Sequence, residues 1–163
     1  MSDVPVVHER FMQEALQEAR LALQSAEVPV GAVVVVDHVI VGRGHNQRQT
    51  LLDPTAHAEL LALRQAARHL GHWQLTAATL YVTLEPCIMC LGAAVLSRIH
   101  CLVFGCKDPK AGACGSQFDI LGMQRLNHTF PVIEGVYQDE ASALLTGFFQ
   151  ALRRRGGRVV EGG

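Results

Sequence analysis

Thr79-Leu80-Tyr81-Val82-Thr83-Leu84-Glu85-Pro86-Cys87-Ile88-Met89-Cys90 changes character in its middle, and that change sets the fold class. Residues 79–83 are β-branched, aromatic and aliphatic, which predicts a strand. Pro86 follows almost at once. Its fixed φ and missing N–H suit the first turn of a helix, so a helix is predicted to open there and run through Ala93, Ala94 and Val95. A strand that feeds a helix so directly is half of an α/β unit.

The same alternation continues on both sides. Upstream, Phe11, Met12, Ala15, Leu16, Ala19 and Leu23 recur at spacings of three and four, which predicts an amphipathic helix over residues 8–25. Residues 30–36 and 39–44 are β-branched runs separated by Asp37 and His38, a two-residue hairpin that lacks the usual glycine. The first run is nearly continuous in apolar character and is expected to be buried on both faces. Asp53 and Pro54 read as the start of a helix ending at Gly71. Downstream, strands are expected at 100–105 and 131–136, and a final helix over 138–154 burying Ala141, Leu144, Leu145, Phe148 and Leu152. The glycine-containing stretch 107–127 is longer than a simple connection and is expected to carry a short helix near 118–121. Strands alternating with helices predict an α/β sandwich around a mixed sheet.

At 163 residues the chain is long enough for one substantial core, so residues 1–163 are expected to form a single domain. With 49% hydrophobic and 18% charged residues it is not a disordered or coiled-coil chain. The longest apolar run, residues 28–36, cannot span a bilayer, and the first ten residues lack a signal-peptide core, so no membrane association and a cytoplasmic location are expected. In such a compartment five cysteines are ligands or buried thiols more readily than disulfides. A net charge of −1 gives nucleic-acid binding no support by itself. Arg153, Arg154, Arg155 and Arg158 do crowd the tail, where they suit either a helix C-terminus or phosphate contacts.

Four residues carry the chemistry. Cys87 and Cys90, three apart at a helix start, project on one face, where unpaired N–H groups and the helix dipole favour thiolate. His57, also near a helix start, supplies an imidazole. Two thiolates and an imidazole make a three-ligand zinc site that leaves a fourth tetrahedral position for water, the catalytic arrangement. Glu59 lies two residues from His57, where a regular helix sends side chains in different directions, so it is a proton carrier beside the site and not a ligand. A Cys-x-x-Cys pair also suits a redox dithiol or half of a closed structural zinc site. The closed site would need a fourth ligand such as Cys101, Cys106 or Cys114, none of which forms a second Cys-x-x-Cys. Cys106 and Cys114 read as small buried residues.

The His57-Ala58-Glu59 and Pro86-Cys87-Ile88-Met89-Cys90 segments resemble the signature of the cytidine deaminase superfamily. With Glu27-Val28-Pro29-Val30-Gly31-Ala32, Asn46, Asp53-Pro54-Thr55-Ala56, Ser97-Arg98-Ile99, Val103-Phe104-Gly105, residues 112–116 and Phe148-Phe149, the chain is similar along nearly its whole length to the bacterial tRNA adenosine deaminases of that superfamily. The resemblance implies a three-layer α/β/α sandwich with a five-stranded mixed sheet. It implies one Zn2+ per chain and a homodimer with active sites near the subunit interface. The implied reaction is hydrolytic conversion of wobble adenosine to inosine in a tRNA anticodon stem-loop, with Glu59 moving the protons. Substrate contacts are implied for Asn46, the Ala58 N–H, Val28, Pro29, Lys107, Asp108 and Phe149. Guanine deaminases and the deaminase of riboflavin synthesis share the metal motif, so a small-molecule deaminase is the alternative.

Overall fold

The computed structural model describes residues 4–156. In chain order the elements are α1 (Val6–Gln24), β1 (Gly31–Val36), β2 (Val39–His45), α2 (Ala58–Leu70), β3 (Thr79–Leu84), α3 (Ile88–Leu96), β4 (Cys101–Cys106), β5 (Val132–Ile133) and α4 (Gln138–Arg154). The strands form one mixed sheet in the order β2-β1-β3-β4-β5. β1 runs antiparallel to both β2 and β3, while β3, β4 and β5 are parallel. The expected sandwich class is the observed one.

Alternation along the strands sorts the core onto two faces. Val33, Val35, Tyr81 and Val103 meet Phe11, Met12 and Ala15 of α1. Ala32, Val34, Leu80, Val82, Leu102 and Phe104 face the other way, onto Ala58, Ala62 and Ala66 of α2 and Leu91 and Ala94 of α3. β1 is buried on both faces, as its apolar run predicts. Val82, Leu102 and Phe104 are fully buried, and each such side chain contributes roughly 1.5–3 kcal/mol on leaving water. The central strands are therefore a rigid base for whatever projects from their ends.

The hairpin forms without glycine because Asp37 and His38 both adopt left-handed backbone, φ 50° and 62°, the pair of conformations a two-residue hairpin turn requires. Asp and His tolerate that region better than branched residues do.

Four expectations are corrected. α2 does not begin at Asp53-Pro54: the Asp53 carboxylate accepts from the Thr55 N–H and hydroxyl, closing a separate turn, and the helix starts at Ala58. No helix forms at 118–121; that stretch is a set of turns held by backbone bonds such as Gly115 N–H to Phe118 O and Ile120 N–H to Ala113 O. The fifth strand is two residues long instead of six, pairing with β4 only at Val132 and Ile133. In α4 only Ala141 is fully buried; Leu144, Leu145, Phe148 and Leu152 are partly exposed, the first three packing against the edge of the core.

Candidate metal and catalytic site

Two helix starts converge at one end of the sheet. His57 is the N-cap of α2, with extended backbone at φ −79° and ψ 151°, and Cys87 is the N-cap of α3, at φ −74° and ψ 174°. N-cap side chains usually satisfy the free N–H groups of the first turn. Here neither does, and both turn toward each other instead. The imidazole Nδ1 lies 3.6 Å from Cys87 Sγ and 3.4 Å from Cys90 Sγ. The three ligand atoms lie within 4.8 Å of one another, the metal-competent cluster found among the described residues.

The approach of α2 to the sheet depends on Gly44 in β2. A Cβ there would sit 2.4 Å from the Ala58 carbonyl oxygen and 2.8 Å from the Ala62 nitrogen. Without a side chain at that position, the first turn of α2, which carries Glu59 and follows His57, seats directly on the sheet.

Glu59 is buried, and its Oε1 has no hydrogen-bond partner among the described residues. Burial, followed by the nearby Cys87 charge, raises its carboxyl to about 7, with His57 pulling the other way. A buried carboxylate oxygen without a partner is expensive unless a ligand or reacting group completes it. The Cys87 thiol is held low, to about 4, first by its hydrogen bond with Cys90 and further by His57, against the cost of burial. The same hydrogen bond, reinforced by burial, raises Cys90. Two sulfurs and one imidazole nitrogen, with a buried acidic side chain beside them, are a donor set that fits a soft or borderline divalent cation.

The expected substrate contacts divide by position. Asn46 is buried just beyond β2; its Oδ1 accepts from the Arg48 N–H at 3.4 Å, and its Nδ2 reaches the Val28 carbonyl at 3.5 Å. Ala58 is the first residue of α2, where a helix offers its N–H no internal acceptor. Val28 and Pro29 are buried in the segment leading to β1. Asp108 is partly buried, with Oδ1 accepting from the N–H groups of Lys110 and Ala111, so its carboxylate organises its own turn. Lys107 Nζ faces Glu134 at 3.9 Å, both well exposed. Phe149 is partly buried and edge-on to Phe148, with ring centroids 5.3 Å apart. Arg153 to Arg155 are exposed at the end of α4, and Arg158 lies outside the described residues. Cys101 and Cys106 are buried, and Cys114 is partly buried.

Two residues escaped the sequence reading. Glu27 is buried and accepts from the N–H groups of Gln49 and Thr50 and from the Thr50 hydroxyl. Glu85, also buried, accepts from Asp108, Cys114 and Ser116. The available signal was an acidic residue flush against apolar neighbours, between Ala26 and Val28 and between Leu84 and Pro86.

Among known families, the MafB19-like deaminases match residues 6–153 of this chain. A tRNA-specific adenosine deaminase of Bacillus subtilis (strain 168) is 47% identical over 147 residues, covering 90% of this chain and 91% of its own length. A solved structure from studies of A-to-I editing by tRNA:A34 deaminases at the wobble position is 42% identical with a TM-score of 0.81, covering 83% of this chain and 99% of that one. A guanine deaminase from Nitrosomonas europaea is more distant, at 27% identity and a TM-score of 0.72, covering 86% of this chain and 83% of its own.

Proposed function

The chain belongs to the MafB19-like deaminase family, alongside the tRNA-specific adenosine deaminases, and from that premise we propose that it converts adenosine to inosine at the wobble position of a tRNA anticodon stem-loop, releasing ammonia. The observation that carries the reading is the buried Glu59 carboxylate, whose Oε1 has no partner among the described residues, beside the His57, Cys87 and Cys90 cluster. A closed structural site has no use for such a carboxylate.

His57, Cys87 and Cys90 would hold one zinc ion, which supplies a Lewis acid able to make water nucleophilic near neutral pH. Glu59 takes a proton from the attacking water as the C6–O bond forms and delivers it to N1 of the base. It then carries the second proton to the amine as the C6–N bond breaks. A buried carboxylate beside the reacting atoms can take a proton and return it. Asn46 and the Ala58 N–H orient the nucleotide, and Val28 and Pro29 supply apolar walls. Lys107 and Asp108 meet the RNA backbone, and Phe149 packs beside a flanking nucleotide. An unpaired loop base suits this arrangement because extruding it costs less than opening a duplex.

Two chains act as a homodimer in this reading. α3 supports it: Ile88 and Leu96 are exposed, Met89, Gly92 and Ala93 partly so, and no charged residue interrupts that face next to Cys87 and Cys90. One domain spans the chain, and it works in the cytoplasm, where tRNA is found; no helix among the described residues is long and apolar enough to cross a membrane.

Ammonia release from an anticodon stem-loop, free adenosine and free guanine tests the proposal, with sequencing to locate inosine, which reads as guanosine. The stem-loop should react, a loop with guanosine at that position should be inert, and free adenosine should be far slower because it lacks the flanking nucleotides that help position C6. Efficient deamination of guanine with an unmodified stem-loop would replace the reading with a small-molecule deaminase, the activity of the Nitrosomonas relative.

A further inference from the structure

Glu85 is buried at 2% exposure, and its carboxylate is surrounded by donors from one loop. Oε1 accepts from the Asp108 N–H at 3.1 Å and from the Ser116 hydroxyl; Oε2 accepts from the N–H groups of Cys114 at 2.9 Å and Ser116 at 3.2 Å. Its own N–H donates to the Cys106 carbonyl at 2.8 Å, continuing the β3–β4 pairing past the strand ends. The carboxylate is thus fixed to the rigid sheet and gathers residues 108–116 around itself.

That loop also borders the metal cluster. Gly112 forms an antiparallel bridge with Cys87, and the Ala113 N–H donates to the Pro86 carbonyl at 2.8 Å. Gly112 packs so tightly that a Cβ there would lie 2.3 Å from a carboxylate oxygen of Glu85. Two features of the loop therefore meet at Glu85: the Asp108 backbone on one side and the strip against Cys87 on the other.

We propose that Glu85 is a positioning residue for the reaction, clamping residues 108–116 against Cys87 so that the loop forms a fixed wall of the nucleotide pocket. The proposal rests on the deaminase reading above for its substrate. The acceptor-only character of a carboxylate is what the site needs: an amide at the same place turns an NH2 group toward N–H donors. Three backbone donors from a loop with no regular secondary structure are satisfied by this one side chain, and leaving them unpaired in a buried site frees the loop.

The test compares wild type, Glu85→Gln, Glu85→Asp and Gly112→Ala by amide hydrogen exchange, zinc content, thermal melting and kcat per zinc-loaded chain on whichever substrate the wild type turns over. Glu85→Gln and Gly112→Ala should accelerate exchange at Asp108, Cys114 and Ser116 by roughly tenfold or more while other amides keep their protection. Zinc should remain at one per chain. A loosened wall misplaces the reacting atoms, so kcat should fall by about tenfold or more, with Glu85→Asp intermediate and the Glu85→Gln, Gly112→Ala double variant no worse than the poorer single. Unchanged exchange, or accelerated exchange with unchanged kcat, would overturn the proposal. Loss of zinc, or loss of cooperative melting in both single variants, would also overturn it by making Glu85 a determinant of the metal site or of the fold. A wild type inactive on the stem-loop would instead count against the substrate reading, while the exchange data still judge the clamp.

Discussion

Replacing Gly44 with Ala should damage catalysis from the far side of a helix, without touching any side chain of the site. A Cβ at this position would stand 2.4 Å from the Ala58 carbonyl oxygen, where ordinary contact begins near 3.4 Å, so α2 must retreat by about 1 Å or β2 must bend by as much. Overpacking of this kind costs roughly 1–3 kcal/mol. For a domain of this size that is a fall in Tm of about 2–12 °C. The first turn of α2 contains Glu59 and is preceded by His57, so the same displacement moves the carboxylate relative to the substrate, and a misplacement near 1 Å costs on the order of 10²-fold in turnover. Differential scanning calorimetry and kcat per zinc-loaded chain measure the two effects together. Gly147→Ala in α4 is the control: a Cβ there meets nothing within 4 Å, and the change should leave kcat alone and add up to about 1 kcal/mol of helix stability. A Gly44→Ala protein with wild-type Tm and kcat would refute the reasoning, because the helix would then not be seated through that glycine.

Cys87→Ala and Cys90→Ala should each purify with well under one zinc per chain by elemental analysis, and full stoichiometry in both would remove these sulfurs from the metal. Glu59→Gln should keep its zinc and its fold while turnover falls by about 10²-fold or more, and near-normal turnover would sink the proton-carrier role. Ile88→Glu combined with Leu96→Glu puts two charges on the exposed apolar face of α3 and should shift sedimentation to the monomer; an unchanged dimer would place the interface elsewhere. Replacing Arg153, Arg154 and Arg155 with Gln should flatten the slope of log affinity for RNA against log salt by up to roughly 0.7 for each phosphate that is no longer neutralised, and an unchanged slope would leave these arginines as solvated helix-end charges.

What the sequence made legible follows from where each residue's partners lie. That His57, Cys87 and Cys90 come together, with Glu59 buried beside them, could be read because their chemistry and short spacings at two helix starts point to one site. The hairpin at Asp37-His38 could be read despite its missing glycine because the flanking β-branched runs leave only two residues to turn in. Asp53-Pro54 misled because the same residues begin either a helix or a separate turn, and the choice is settled by the Thr55 hydroxyl and N–H that the Asp53 carboxylate captures. Glu27 and Glu85 offered only their apolar neighbours as a signal, because most of their partners are backbone N–H groups, which every non-proline residue possesses and no sequence pattern advertises. The loops over residues 49–50 and 108–116 are consequently held by carboxylates that lie outside them, Glu27 just ahead of β1 and Glu85 just beyond β3. Such anchoring draws mainly on the loops' backbone N–H groups, with the Thr50 and Ser116 hydroxyls and a glycine at position 112 as the side-chain requirements.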